Sequence, residues 1–187
     1  MEQLLALDGN ILLFIQEHLR FDFLTPIMMF ITKLGNAGWF WLVLLAVLCC
    51  TPKYRKVGMT GITAVLIGFL ITNVALKNVV ARIRPYEVVE GLVLIGRKAT
   101  DWSFPSGHST CSMAAGIVVL KKMPKQAGIP LFILAIFICI SRLYIGIHYP
   151  SDVLGGILIG TFSAFSALYI MKRKENRELV EFKSRKE

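Results

Sequence analysis

The sequence predicts an all-α fold. It is a polytopic transmembrane bundle of about five spans, or six if part of the N-terminal arm also crosses, preceded by an amphipathic interfacial helix. Three observations predict it. Of 187 residues, 55% are hydrophobic, and mean hydropathy is +0.63, above the usual content of a soluble domain. The apolar residues gather in runs almost free of charge, at 37–50, 57–76, 109–120, 127–141 and 153–171. Basic clusters separate the runs. A crossing takes ~20 mostly apolar residues for a hydrocarbon core of ~30 Å, and several runs reach that length with their polar flanks.

The elements follow in chain order. In residues 1–34, Leu4, Leu5, Leu7, Ile11, Leu12, Phe14 and Ile15 recur at roughly helical spacing between Glu2, Asp8, Gln16 and Glu17. That pattern predicts an amphipathic helix lying at the interface. Met1 to Asp8 carries acids where a cleavable signal would carry bases. A second short helix, Phe23 to Lys33, stands alone or joins the next run as a broken span, with Gly35-Asn36-Ala37-Gly38 as the break. The spans are expected at about 37–51, 56–79, 106–121, 127–145 and 152–171, within a membrane domain of residues 35–172. Gly156 and Gly160, four apart in the last span, predict close helix packing. Residues 173–187 form a charged tail, expected to project into water. Cys49, Cys50, Cys111 and Cys139 all lie in apolar runs without metal-ligand spacing and receive no chemistry.

The net charge of +9 reads as topology. No nucleic-acid-binding pattern accompanies it, so nucleic acid is not an expected partner. Five spans put Lys53, Arg55, Lys121, Lys122, Lys125 and the tail on one face. The other face receives residues 1–36, 80–105 and 146–151. Because cytoplasmic loops collect Lys and Arg, the tail is expected in the cytoplasm and the opposite face outside.

Three polar clusters stand at span ends, where ionisable groups are costly without a purpose. They are Lys77 through Arg84-Pro85; Pro105-Ser106-Gly107-His108; and Ser141-Arg142 with His148 and Asp152. The five-span topology brings all three to one face. Lys77, Arg84 and Arg142 read as three cations without obvious partners, suited to a phosphate dianion. Ser106-Gly107-His108 opens a helix whose free N–H groups favour an anion, and Gly107 lets the backbone approach closely. Asp152 on one nitrogen of His148 leaves the other as a nucleophile, and His108 is placed to protonate a leaving oxygen. Taken singly, the cations read as interfacial anchors, the histidines as structural, and His148 with Asp152 as a capping pair. A metal site on His108, His148 and Asp152 lacks H-x-x-x-H or carboxylate-rich support, so no metal or other cofactor is expected.

The three clusters resemble the signature of the type 2 phosphatidic acid phosphatase superfamily, K-x6-RP, PSGH and SR-x5-H-x3-D. The resemblance covers about residues 36–172, with every defining position present in order. It implies His148 as nucleophile, Asp152 as its orienting acid and His108 as general acid. It also implies Lys77, Arg84, Ser106, Gly107 and Arg142 as phosphate ligands. The expectation is a metal-independent lipid phosphatase of a bacterial cytoplasmic membrane, with its site facing outside and a phosphohistidine intermediate. Undecaprenyl diphosphate, phosphatidylglycerophosphate and phosphatidate are the candidate substrates, with a slight lean to the first. The rival is a non-catalytic phospholipid-binding or transport protein using the same cradle. Two acting histidines predict a bell-shaped pH profile.

Overall fold

A computed structural model describes residues 2–184; the last three residues of the charged tail lie outside the described residues. Every regular element described is helical: α1 (Glu2–Leu19), α2 (Leu24–Leu34), α3 (Trp39–Cys50), α4 (Arg55–Phe69), α5 (Lys77–Val80), α6 (Pro85–Val88), α7 (Gly107–Lys122), α8 (Lys125–Tyr144) and α9 (Pro150–Ser184). Three helical stretches are long and apolar enough to cross a membrane: Pro52–Val88, Lys125–Tyr144 and Pro150–Glu178. A fourth candidate is the pair α2 and α3, bent by 49°. The span expected at 37–51 is therefore the second half of a bent pair that is long and apolar enough to cross only when both helices are taken together. The break lies where the glycine-rich segment predicts it, with Ala37 and Gly38 at φ 48° and 67°.

The helix expected at 106–121 is present as α7, but it is too short to count as an independent span. At 16 residues it runs inside the bundle, and ten of those residues are buried, including Ser109, Thr110 and Ser112. Helices on several sides shield it from lipid, so it tolerates hydroxyl groups that a lipid-facing helix would not. Trp41, itself fully buried, donates from Nε1 to Ser112 Oγ at 3.0 Å. The pair Gly156 and Gly160 sets α9 against α7 backbone to backbone. A Cβ at Gly156 would come within 2.6 Å of the Ser106 carbonyl oxygen. The outward faces carry exposed Val47, Leu66, Ile133, Leu158 and Phe162, as a lipid-facing surface requires.

Two local features aim side chains inward. Residues Leu70–Leu76 form π-helical turns between α4 and α5, which shift the helix face and leave Lys77 buried. Ala81, at φ 45°, ends α5, and Arg84 is extended ahead of Pro85, as a residue before proline prefers. α1 packs on α8 and α9. Its Leu12 is fully buried against Leu92 and Tyr149, while Leu7 and Phe14 on the same helix are exposed.

Candidate active site

The start of α5, the segment between α5 and α6, the start of α7, the end of α8 and the α8–α9 turn surround one cavity of about 620 Å³. Lys77, Arg84, Gly107, His108, Arg142 and His148 all line it. Ser106 and Asp152 stand just behind, fully buried. All eight residues expected at the site therefore meet there.

Ser106 is the N-cap of α7; its Oγ accepts from the Ser109 N–H at 3.4 Å and from Ser109 Oγ at 3.0 Å. A Cβ at Gly107 would meet Asn73 Oδ1 at 3.4 Å, an ordinary contact. No protein group crowds the position, so what glycine preserves is open access to the first-turn backbone from the cavity. His108 Nε2 lies 3.1 Å from Asn36 Oδ1. The break in the α2–α3 crossing thus delivers a polar partner to this histidine.

His148 Nδ1 lies 3.4 Å from Asp152 Oδ2, and its Nε2 is 3.3 Å from Arg84 Nη1. Asp152 also accepts from the Tyr149 N–H at 2.9 Å, from Ser103 Oγ, and from Arg82 Nη1 at 2.7 Å. A carboxylate this well occupied holds the imidazole in one orientation. Burial pushes the His148 imidazole down to about 4, against the pull of Asp152, and the charges of Arg84 and Arg142 push the same way. The ring is therefore neutral near pH 7, with Nε2 free to carry a lone pair.

The cations differ from expectation in one respect. Lys77 and Arg84 are not without partners, because both pair with Asp101. The lysine ammonium contacts Oδ2, and Arg84 Nη2 donates to Oδ1 at 2.6 Å. Arg84 also donates from Nε to the Asp101 carbonyl at 2.9 Å and from Nη1 to the Ile147 carbonyl at 2.9 Å. Burial raises the Asp101 carboxyl, but Lys77 and Arg84 outweigh it and hold the group below the usual carboxylate range. Arg142 donates to Thr32 Oγ1 at 2.6 Å, and its buried Nε has no partner among the described residues. The spare donor belongs to a group already at the cavity wall. Among the described residues, no group of three or more His, Cys, Asp or Glu side chains is placed to share a metal ion.

Sequence reasoning missed Asp101, Asn36, Ser103, Arg82 and Asp8. Asp101 carried a usable signal, being an acid in the polar loop just ahead of Ser106. Asn36 carried another, as a polar side chain in the break of a crossing. Asp8 carried none, since its partners are far along the chain.

A helical bundle with lipid-facing walls, closing on cations around a carboxylate-held imidazole, defines a membrane-embedded phosphatase. The chain belongs to the PAP2 superfamily, whose family model matches residues 57–176. It is 33% identical over 147 residues to an undecaprenyl-diphosphatase of Sulfolobus acidocaldarius, covering 79% of this chain and 70% of that one. It is 34% identical over 146 residues to the undecaprenyl-diphosphatase BcrC of Bacillus subtilis, covering 76% and 72%. The crystal structure of Aquifex aeolicus LpxE superposes with a TM-score of 0.76 at 25% identity, over 86% of this chain and 93% of that one.

Proposed function

We propose that the chain hydrolyses a polyprenyl diphosphate, releasing phosphate through a phosphohistidine on His148. Asp152 holds the Nδ1–H of His148, and Nε2 attacks phosphorus. The bond from phosphorus to the leaving oxygen breaks, and His108 supplies that oxygen with a proton; burial and the charges of Arg142, Lys77 and Arg84 disfavour that proton before substrate arrives, and the negative charge of the bound phosphate favours it again. Water, deprotonated by His108, then attacks phosphorus; its oxygen bonds there as the phosphorus–nitrogen bond breaks, which frees both phosphate and His148. Lys77, Arg84, Arg142 and the first-turn N–H groups of α7 neutralise the charge on the phosphoryl oxygens.

One observation carries the reading. The cavity is polar at its head, around His108 and His148, and apolar along its wall, where Leu42, Ile62, Val65, Leu66 and Phe69 line it. Leu42, Ile62, Leu66 and Phe69 are also exposed, so this wall of the cavity is not sealed by other helices. A phosphate head can enter from the bilayer with its chain still among these side chains. The diphosphate preference draws support from the two relatives named as undecaprenyl-diphosphatases. The distribution of basic loops supports a site facing away from the cytoplasm.

Purified protein in nanodiscs, offered polyprenyl diphosphate, phosphatidylglycerophosphate, phosphatidate and a small phosphate ester, tests this. The expected order of kcat/KM puts the polyprenyl diphosphate first and the small ester last. His148→Ala should lower turnover by roughly 10³-fold or more. Phosphate release by that variant at the parental rate would end the nucleophile assignment. Binding of all lipids without any release would favour a carrier.

A further inference from the structure

Asp8 belongs to α1, outside the segment matched by the family model. It is 3% exposed, and a carboxylate buried so far is costly unless charged and polar groups meet it. Arg82 Nη2 donates to its Oδ2 at 2.8 Å, the Ser151 N–H to its Oδ1 at 3.1 Å, and Ser151 Oγ also bonds it. Ser151 is the second residue of α9, where N–H groups have no partner within the helix. Asp8 therefore caps the helix that bears Asp152, and does so from a different helix.

Arg82 joins the two carboxylates. Its Nη1 donates to Asp152 Oδ1 at 2.7 Å and to Ser151 Oγ at 2.6 Å, while Nη2 holds Asp8. Its guanidinium stacks on the Tyr149 ring at 3.9 Å, and the Ser103 N–H donates to its carbonyl at 2.8 Å. A planar fork with two nitrogens can bridge two carboxylates; a lysine ammonium is a point charge and cannot reproduce both geometries. With Oδ1 of Asp152 held by Arg82, Oδ2 faces His148. Neither Asp8 nor Arg82 lines the cavity that holds the histidines; Arg82 borders a smaller neighbouring one of about 170 Å³ beside Arg84 and Asp101, and its fork is taken up by Asp8, Asp152 and Ser151.

We infer that Asp8 and Arg82 are positioning residues: the N-terminal helix, through Arg82 and the start of α9, sets the carboxylate that orients His148. This rests on the proposed roles of His148 and Asp152. It gives α1 a part in turnover beyond lying on the membrane.

The charges around the pair are identifiable. Arg84 and Arg142 face His148, with His108 across the cavity from α7 and Asp101 behind Arg84; Tyr149 lies beside Arg82. All of these remain when Asp8 or Arg82 is changed. Asp8→Asn removes a negative charge from the network that holds Asp152 and should move the acid limb of kcat/KM to lower pH. Arg82→Gln removes a positive one and should move it to higher pH. A role in stability alone would move neither limb.

The test uses the full chain in nanodiscs with a polyprenyl diphosphate. Asp8→Asn and Arg82→Gln should each lower kcat roughly 10–100-fold, leave KM within about threefold, and shift the acid limb in opposite directions. Vanadate should still raise the melting temperature of both variants, which shows an intact cradle, and Arg82→Lys should recover part of the loss. Parental kcat in both variants, or losses without the opposed shifts, overturns the inference. Should Asp8→Asn fail to respond to vanadate, Arg82→Lys decides: lower kcat with vanadate stabilisation kept supports the inference, and parental kcat sinks it. His148→Ala is run beside them. If it turns over normally, the nucleophile reading itself has failed; if it is dead while the Asp8 and Arg82 variants match the parent, the positioning role alone has failed.

Discussion

Asp101 and Asp152 both hold arginines at one site, yet their settings are opposite. Asp101 lies in the long loop between α6 and α7 with 48% of its side chain exposed, resting on Lys77 and Arg84. Asp152 lies in the first turn of α9 with none of its side chain exposed, bonded to Arg82, Ser103, the Tyr149 N–H and His148. An exposed carboxylate can exchange its cations for water at small cost. A sealed one has no substitute partner, and breaking its network leaves buried groups unsatisfied. The contrast separates a carboxylate that can leave from one that belongs to the frame. The one that can leave stands on Lys77 and Arg84, the cations that the proposed function gives to phosphate.

The same near-isosteric change at each position should therefore have opposite results. Asp152→Asn keeps the shape and removes the charge that fixes the His148 tautomer. An expected loss of roughly 10³–10⁴ in kcat follows, by analogy with the aspartate of a catalytic triad, and single-turnover phosphate release would measure it. A loss under tenfold would show that the buried pair does not orient the nucleophile, and the contrast would collapse.

Much of the site was legible in the sequence, and the missing part, Asp101 included, has a physical reason. Lys77, Arg84, Ser106, His108, Arg142, His148 and Asp152 could be read because each lies at a span end, where polarity breaks an apolar run. The packing of α9 on α7 could be read from the spacing of Gly156 and Gly160, and the broken crossing from residues 35–38. The enclosure of α7 could not be read with the same ease, because hydropathy measures a helix against lipid and α7 is solvated by other helices. Arg82 was visible within the first cluster but had no assignable role. Its partners, Asp8 and Asp152, lie 74 and 70 residues away, and periodicity carries only local information. Asp101 was visible as an acid in the polar loop ahead of Ser106, but its pairing with Lys77 and Arg84 is made only by the fold.

The pH profile sharpens the comparison from the side of the imidazole. The acid limb of kcat/KM reports the base in the free enzyme. His148 is lowered by burial and by the neighbouring arginines to about 4, so its neutral form persists as pH falls from 7. Activity should hold to about pH 5 and decline below about 4. An arriving phosphate dianion offsets the arginine charges, so the limb of kcat should lie at higher pH than that of kcat/KM. Profiles of both constants across pH 3.5–8 provide the check. An acid limb of kcat/KM near 6.5, the ordinary histidine value, would mean that the ring is solvated in the resting site.

Asp101→Asn should give the smallest effect, and it should be a gain. An anion entering the cradle must displace the Asp101 carboxylate from Lys77 and Arg84 or share them with it. Asparagine keeps the size and one carbonyl acceptor but gives up the charge, so the competitor weakens while the cations stay. Charge-assisted hydrogen bonds contribute about 1.5–3 kcal/mol when well formed. Half exposure reduces this to about 1 kcal/mol in a solvated setting. Inhibition by vanadate should then tighten roughly three- to tenfold, with kcat changed by less. Competition assays at fixed lipid concentration would measure it. If vanadate instead bound more weakly, Asp101 would be holding Lys77 and Arg84 in place for the phosphate. The exposed carboxylate would then serve the frame as Asp152 does, and exposure would no longer distinguish the two.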